Sequence, residues 1–544
     1  MKFTKYITYI LFVCMILCTF LFVPVSTHAA TLSYGAVLGA PTDTSIKIWV
    51  RSDSASTYKV EYKLTGDAYP GTITSGVALS SGTDYTGTIS ITGLLPNTSY
   101  DYRVLIDDVV QSGNGSSGTF VTLKTSGTAC SYVFSLSADI DTGAVSAGNE
   151  TLNFDEIVNT ATPDFNVFLG DQIYGPSSGT QADIETYYKA NWIDSAMKTF
   201  TKAIGSVFMW DDHELLTPDD HVTLSLNDHD WDAGKTSGYS VSRLAFDNYQ
   251  GQVNPSVRVP NELYYSFNVC DTSFFMFDTR THRGKDRGYE SNSNRMLGAA
   301  QMAHLKSWLK NSTATFKFIL SPTPWSDAVA NANDSFYTFN TERQEIYTFL
   351  KRNNLKNVFV LSADQHNTVS YKNPLSTSHN YAEFGASPLN SSIKATTPAG
   401  AGAELVCSNS TSGNHYGIIS VDTTGTPQVN LKSYRAAPYV NAGNTGAGSH
   451  TLICDQTYTV ATLSPSTATV SSAASQVYTV SGSTTAISTL TITDASTATI
   501  TATNDIRVRI PTELNMLWDT TDTTVTIGGG AAAKVSTTVS YEES

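Results

Sequence analysis

Hydrophobic and polar positions follow three regimes along the chain. From residue 31 to about 128 they alternate. Ser45-Ile46-Lys47-Ile48-Trp49-Val50 and Tyr58-Lys59-Val60-Glu61-Tyr62 both repeat every second residue, the pattern of strands with one buried face. Thr125-Ser126-Gly127-Thr128 reads as a linker. Beyond it the apolar residues gather into short continuous runs. These are Tyr132-Val133-Phe134-Ser135-Leu136, Phe165-Asn166-Val167-Phe168-Leu169, Ser206-Val207-Phe208-Met209-Trp210, Phe274-Phe275-Met276-Phe277, Phe316-Lys317-Phe318-Ile319-Leu320 and Asn357-Val358-Phe359-Val360-Leu361. Such runs suit strands covered on both faces. Leu297, Met302, Leu305, Trp308 and Leu309 fall near helical spacing between two of them. Strands alternating with helices predict an α/β layered core over residues 129–448. From 449 to 544 Thr and Ser dominate, with alternating stretches such as Thr489-Leu490-Thr491-Ile492-Thr493 and Arg507-Val508-Arg509-Ile510. This predicts a β-rich terminal domain, with a disordered stalk as the alternative.

Bulk properties narrow the function. A chain of 544 residues is expected to form several domains. A hydrophobic content of 40% and a charged content of 15% belong to a folded protein. The net charge of −15 argues against non-specific nucleic-acid binding, which needs a basic face. Lys2 and Lys5 precede an apolar run from Tyr6 to Val23, and Ser26-Thr27-His28-Ala29-Ala30 offers small residues for cleavage. Residues 1–30 therefore read as a signal peptide, with an uncleaved anchor as the alternative because the run approaches membrane-spanning length. The expected location is outside the cell, secreted or at the cell surface. Cys130, Cys270, Cys407 and Cys454 follow the leader. Export permits disulfides, and four cysteines allow three full pairings.

Four of the buried-type strands end in acids. They lead into Asp139-Ile140-Asp141, Gly170-Asp171-Gln172-Ile173-Tyr174, Trp210-Asp211-Asp212-His213-Glu214 and Ala363-Asp364-Gln365-His366. One strand ending in Asp is an ordinary turn or cap. Four in one domain, two of them with His, would gather carboxylates at the carboxyl edge of the sheets, where open α/β folds bind ligands. Such a cluster repels itself unless cations neutralise it. The reading is a site for two or more metal ions, with carboxylates favouring hard cations. Arg280 and Arg283 are candidates for gripping phosphate oxygens. Trp210, Trp231 and Trp325 are candidates for its mouth. The acidic loop around His221 and His229 reads as solvated, with an extra Ca²⁺ site as the alternative.

Two resemblances join these residues. Gly93-Leu94-Leu95-Pro96-Asn97-Thr98-Ser99-Tyr100 resembles the tyrosine corner of fibronectin type III domains, over residues 31–128. Gly170-Asp171-x-x-Tyr174 and Asp211-Asp212-His213-Glu214 resemble the calcineurin-like metallophosphoesterases, specifically the alkaline phosphatase D (PhoD-type) family. Phe277-Asp278-Thr279-Arg280, the Leu297-Gly298-x-x-Gln301 helix, Asp364-x-His366 and His415-Tyr416-Gly417 follow in family order, so the likeness runs from about 131 to 434. It implies a four-layer core of two packed sheets flanked by helices, and hydrolysis of phosphate mono- or diesters by a metal-activated water.

The resemblance also implies roles. Asp171 would bridge two ions, Tyr174 would bind ferric iron, Asp212 would stand at the superfamily's asparagine, and Asp364 with His366 would complete a second site. His213 would sit beside the leaving group. The family's cysteine ligand at the first strand end is replaced by Asp139, and Asp141 would occupy a superfamily histidine position. Ca²⁺ and Fe³⁺ are the implied ions, with Mn²⁺ or Zn²⁺ open once thiolate gives way to oxygen. The expected partner is a phosphate-ester substrate, met by a monomer whose tail could associate with a cell envelope. A surface-binding, adhesin-like protein on an inactive phosphatase fold is the alternative.

Overall fold

A computed structural model describes residues 29–141, 154–216, 233–283, 295–325, 335–372, 381–391, 404–409, 414–435, 450–460, 469–472 and 490–493, save positions 155, 177, 194, 258 and 390. Residues 1–28 of the expected signal peptide, His221, His229, Trp231 and the Arg507–Ile510 stretch lie outside them. The chain divides into two compact units, Met1–Thr459 and Val460–Ser544. Among the described residues no helix is long and apolar enough to cross a membrane.

The alternating segment forms nine strands: β1 (Leu32–Gly39), β2 (Ser45–Ser52), β3 (Ser56–Leu64), β4 (Thr72–Ile73), β5 (Val77–Leu79), β6 (Thr86–Thr92), β7 (Ser99–Ile106), β8 (Val109–Val110) and β9 (Ser117–Val121). β1, β2 and β6 make one layer, and β3, β7 and the short strands make the other. Their inward residues, among them Ile48, Val50, Val60, Tyr102 and Val104, share one core. The Tyr100 hydroxyl accepts the Leu95 N–H at 2.9 Å, the bond expected of a tyrosine corner.

The apolar runs all become strands. β10 (Ser131–Ser137), β11 (Phe165–Leu169) and β12 (Ser206–Met209) pair in parallel, register Leu136 to Val167 and Val167 to Val207. A second sheet begins with β13 (Tyr265–Val269), β14 (Thr272–Met276), β15 (Phe316–Ser321) and β16 (Val358–Ser362). β17 (Thr368–Lys372), β18 (Tyr381–Ala386) and β19 (Glu404–Asn409) complete it. β20 (His415–Asp422), β21 (Gln428–Arg435) and β22 (Thr451–Thr459) return to the first sheet. Phenylalanines seal the two sheets together: Phe134 and Phe165 meet Phe274 edge to face at 5.5 and 5.7 Å. Helices α1 (Gln181–Ile193), α2 (Ser195–Thr201) and α3 (Ala233–Tyr249) share a core with the outer residues Phe168 and Phe208 of the first sheet. α4 (Gly298–Asn311) and α5 (Asn340–Arg352) do the same with Phe275, Ile319 and Val360 of the second. Helix, sheet, sheet, helix is the predicted four-layer core.

Two features were not legible beforehand. The first sheet runs β22-β21-β20-β10-β11-β12-β1-β2-β6, so the N-terminal sandwich extends the central sheet through β1 beside β12. β22 lies past residue 448, yet it pairs along β21 from Thr451 to Thr459 and closes the sheet's other end. In the second unit β23 (Thr469–Ser472) pairs antiparallel with β24 (Leu490–Thr493).

The cysteines pair 130 with 270 and 407 with 454, at Cα separations of 5.8 and 6.1 Å, within disulfide reach. Each bond joins the two central sheets, at the start of β10 against the β13–β14 turn and from β19 to β22. The first closes 140 residues and the second 47. Loop entropy then predicts a loss of about 4 kcal/mol on removing Cys407–Cys454 and about 5 kcal/mol on removing Cys130–Cys270. Denaturant titration of the two double Cys→Ser variants measures it, and the reverse order would contradict it.

Candidate metal centre

The carboxyl ends of β10, β11, β12 and β16 bring the acids together. Their backbone is unusual. Asp139, Asp171, Asp364 and His366 have φ of 58, 50, 65 and 51°, the left-handed region that non-glycine residues seldom enter. Gly170, at φ 80°, is needed for a second reason: a Cβ there would stand 2.5 Å from that of Asp211. The strand-end loops are laced together at this close approach. Asp139 N–H donates to the Gly170 carbonyl at 3.3 Å and Ile140 N–H to that of Asp171 at 2.6 Å. Gly175 N–H donates to the His213 carbonyl at 3.0 Å, and His213 N–H to Asp171 Oδ1 at 3.2 Å.

Three groups of donor atoms result, each within 4.8 Å: Asp139, Asp171 and His366; Asp171, Asp212 and His213; and Asp171, Asp211, Asp212 and Asp364. Asp171 is common to all three, the position from which one carboxylate can serve neighbouring ions. The Tyr174 hydroxyl lies 2.9 Å from His366 Nε2, and its ring packs 4.1 Å from that of His213. Among the described residues, buried Asp139 Oδ2 and Asp171 Oδ2 have no hydrogen-bond partner, which is costly for a carboxylate unless a cation takes that place. The residues therefore fit a site for more than one metal ion.

The electrostatics agree. Burial, then the charges of Asp212, Asp211, Glu214 and Asp139, push the Asp171 carboxyl well above its ordinary range. Burial and the charges of Asp139 and Asp171 push the Tyr174 phenol up. A cation among these groups acts in the opposite direction on each.

The other expectations divide. Asp141 is half-buried and belongs to none of the three groups found among the described residues. Arg280 is buried, its guanidinium bonded by Nε to Asp211 and by Nη2 to Asp212 Oδ1 at 3.2 Å. Its partners are thus acids of the centre. Arg283 stacks over Phe339 at 5.4 Å. Trp210 and Trp325 are fully buried, so they pack the core and line no mouth. Trp210 Nε1 donates to Asp278 Oδ1 at 3.1 Å and its ring lies against Phe246.

Sequence reasoning missed three supporting acids that its own motifs contained. Asp211 joins the third donor group. Asp278 Oδ1 also accepts the Arg280 and Thr281 N–H groups at 3.1 and 3.0 Å, capping the end of β14. Gln301 on α4 holds Asp278 from behind, its Oε1 accepting the Asp278 N–H at 2.9 Å and its Nε2 donating to the Asp278 carbonyl at 2.8 Å. The Asp-x-Arg and Leu-Gly-x-x-Gln motifs are thus one chain of bonds, Gln301 to Asp278 to Arg280 to the metal-facing acids. Glu214 is the third; burial pushes its carboxyl up to about 8, despite backbone N–H donors that favour its charge.

A two-sheet core flanked by helices, with acids and histidine converging at its strand ends, defines a metallophosphoesterase-type architecture. The sequence model of the PhoD-like phosphatase family matches residues 149–437, more than half of the chain, and the chain belongs to that family. Its fold is similar to the solved structure of PhoD, with a TM-score of 0.65 at 18% identity, covering 80% of this chain and 91% of that one. It is also similar to the purple acid phosphatase PPD1 from yellow lupin (Lupinus luteus) seeds, with a TM-score of 0.52 at 11% identity over 76% of this chain and 73% of that one. No curated protein sequence matches the chain. Family and site together make this a metal-dependent phosphoesterase.

Proposed function

We propose that the protein is an exported hydrolase of phosphate mono- or diesters, working with Ca²⁺ and Fe³⁺ at one centre. The observation that carries this reading is Asp171, a buried carboxylate shared by three donor groups. Asp139, Asp171 and His366, with Tyr174 beside them, would hold one ion. Asp171, Asp211, Asp212 and Asp364 would hold a second. The ions, when bound, supply positive charge against the phosphoryl oxygens and acidify water. The oxygen-rich donor set supports hard cations. In hydrolysis an oxygen–phosphorus bond forms to water as the ester bond to the leaving group breaks. His213, whose backbone N–H donates to Asp171 and whose ring packs on Tyr174, would give the leaving oxygen its proton. Arg280 orients Asp211 and Asp212. Export is supported by the basic and apolar leader and by two disulfides that suit an oxidising compartment.

The test is turnover of an aryl phosphomonoester and its diester after chelation and after return of Ca²⁺ with iron or manganese. Hydrolysis lost on chelation and regained with metal supports the reading, and the faster ester names the substrate class. Failure with every metal, in a folded protein, would sink it and favour a binding role. Gln301→Leu is expected to lower kcat/KM about 10–100-fold, the usual effect of losing an outer support of a metal site. Unchanged turnover in the folded variant would detach the Gln301–Asp278–Arg280 chain from the site.

A further inference from the structure

Two loops carry most of the donor atoms, the one after β11 with Asp171 and the one after β12 with Asp211 and Asp212. Their backbones are separate turns that share one backbone bond, Gly175 N–H to the His213 carbonyl, and the first holds Asp171 at positive φ. Beyond that bond and the His213 N–H to Asp171 Oδ1, one further side chain ties them together at their base. The Glu214 carboxylate, 1% exposed, accepts three backbone N–H groups. Oε2 takes those of Asp171 at 3.0 Å and Asp211 at 2.7 Å, and Oε1 takes that of Gln172 at 2.5 Å. Two of these donors belong to the first loop and one to the second. Burying a carboxyl group is costly, and its two acceptor oxygens offset that cost by receiving all three bonds.

We infer that Glu214 is a positioning residue, a carboxylate bracket that sets the distance between the two loops and so the spacing of Asp171 from Asp211 and Asp212. It touches backbone, and its effect on the substrate passes through the metal-holding acids. The inference rests on the proposed function for its kinetic arm alone; metal affinity tests it independently.

The experiment titrates the chelated full chain with Mn²⁺ and with Ca²⁺ by calorimetry, and measures kcat, KM and thermal unfolding on the reloaded protein. Glu214→Gln keeps the shape but turns an amide NH₂ toward a backbone N–H at one end or the other. Glu342→Gln is the matched control. Glu342 is also buried and accepts two backbone N–H groups, from Met296 at 2.7 Å and Leu297 at 3.1 Å, but it lies on α5, outside every donor group found among the described residues. Glu214→Gln is expected to weaken metal binding about 10–100-fold, to lower kcat more than it changes KM, and to regain activity as metal is raised. Glu342→Gln is expected to lose comparable thermal stability with metal affinity intact. Native metal affinity in Glu214→Gln, or an equal loss in Glu342→Gln, would overturn the inference. If Glu214→Gln is not recovered folded, Glu214→Asp, which keeps the carboxyl group and shortens the reach, is read against the same outcomes. A wild-type chain that binds metal without hydrolysing esters would refute the proposed function and leave the affinity test of Glu214 standing. One that binds neither ion would refute both.

Discussion

Asp171→Asn is expected to abolish hydrolysis and, in the same protein, to stabilise the metal-free fold. Asparagine matches the carboxylate in shape, and its carbonyl can still accept the His213 N–H. It removes the one charge common to all three donor groups. Losing a preorganised electrostatic element of this kind lowers kcat/KM on the order of 10³-fold. The stability effect has the opposite sign. Burial and four neighbouring acids raise the Asp171 carboxyl well above its ordinary range. The native state thus keeps a proton that the unfolded chain releases. Stability of the chelated wild type should therefore fall as pH rises from the ordinary carboxylate range toward the raised native value, and neutral Asn removes that share of the loss. Metal binding reverses the order, since the ions bind the native wild type and stabilise it by mass action. Thermal melts of chelated and reloaded protein across pH, beside ester kinetics, read both. Activity above about a tenth of wild type would contradict the shared-ligand assignment, given the 10³-fold expectation.

Trp49→Ala is the second large effect, on stability. Trp49 belongs to β2 of the N-terminal sandwich, yet it is fully buried against the catalytic helices. Its ring meets Trp192 of α1 at 6.0 Å and Tyr249 of α3 at 5.6 Å, and its Nε1 donates to the Asn248 carbonyl at 2.8 Å. Asp84 adds a charged contact nearby, accepting Lys189 of α1 at 2.6 Å and the Arg51 guanidinium at 2.9 Å. Removing a buried tryptophan costs about 3–5 kcal/mol, against about 5–15 kcal/mol for a typical domain. Because the sandwich shares a sheet and a core with the catalytic layers, one cooperative transition should move down as a whole. A calorimetric trace in which a small early transition moves and the main one stays would show an independent spacer instead.

Much of the site was legible because strand ends and acid types are local features. Asp139, Asp171, Asp212, Asp364 and His366 each follow a short apolar run, and the structure gathers all five. Asp141 stands outside the three donor groups found among the described residues, and the left-handed φ at Asp139 just before it is not visible in composition. Glu214 was read past because it works on backbone N–H groups of the neighbouring loop as well as its own, and Asp278 because it caps its own strand end and takes the Trp210 indole N–H from another strand. Gln301 was seen as part of a helix motif, while its purpose depends on where α4 meets the end of β14.

The sequence by itself determined the buried strands, the alternating N-terminal layers, the acids poised at carboxyl ends and the family likeness. Side-chain polarity at periods of two and 3.6 is a property of neighbours in the chain. The tertiary structure decided which strands share a sheet, which cysteines pair, and which carboxylates face one another. Gly39 stands beside Ser206, and Cys130 bonds Cys270 across 140 residues. Contacts over such separations depend on how the layers pack as a whole, and no local pattern encodes them.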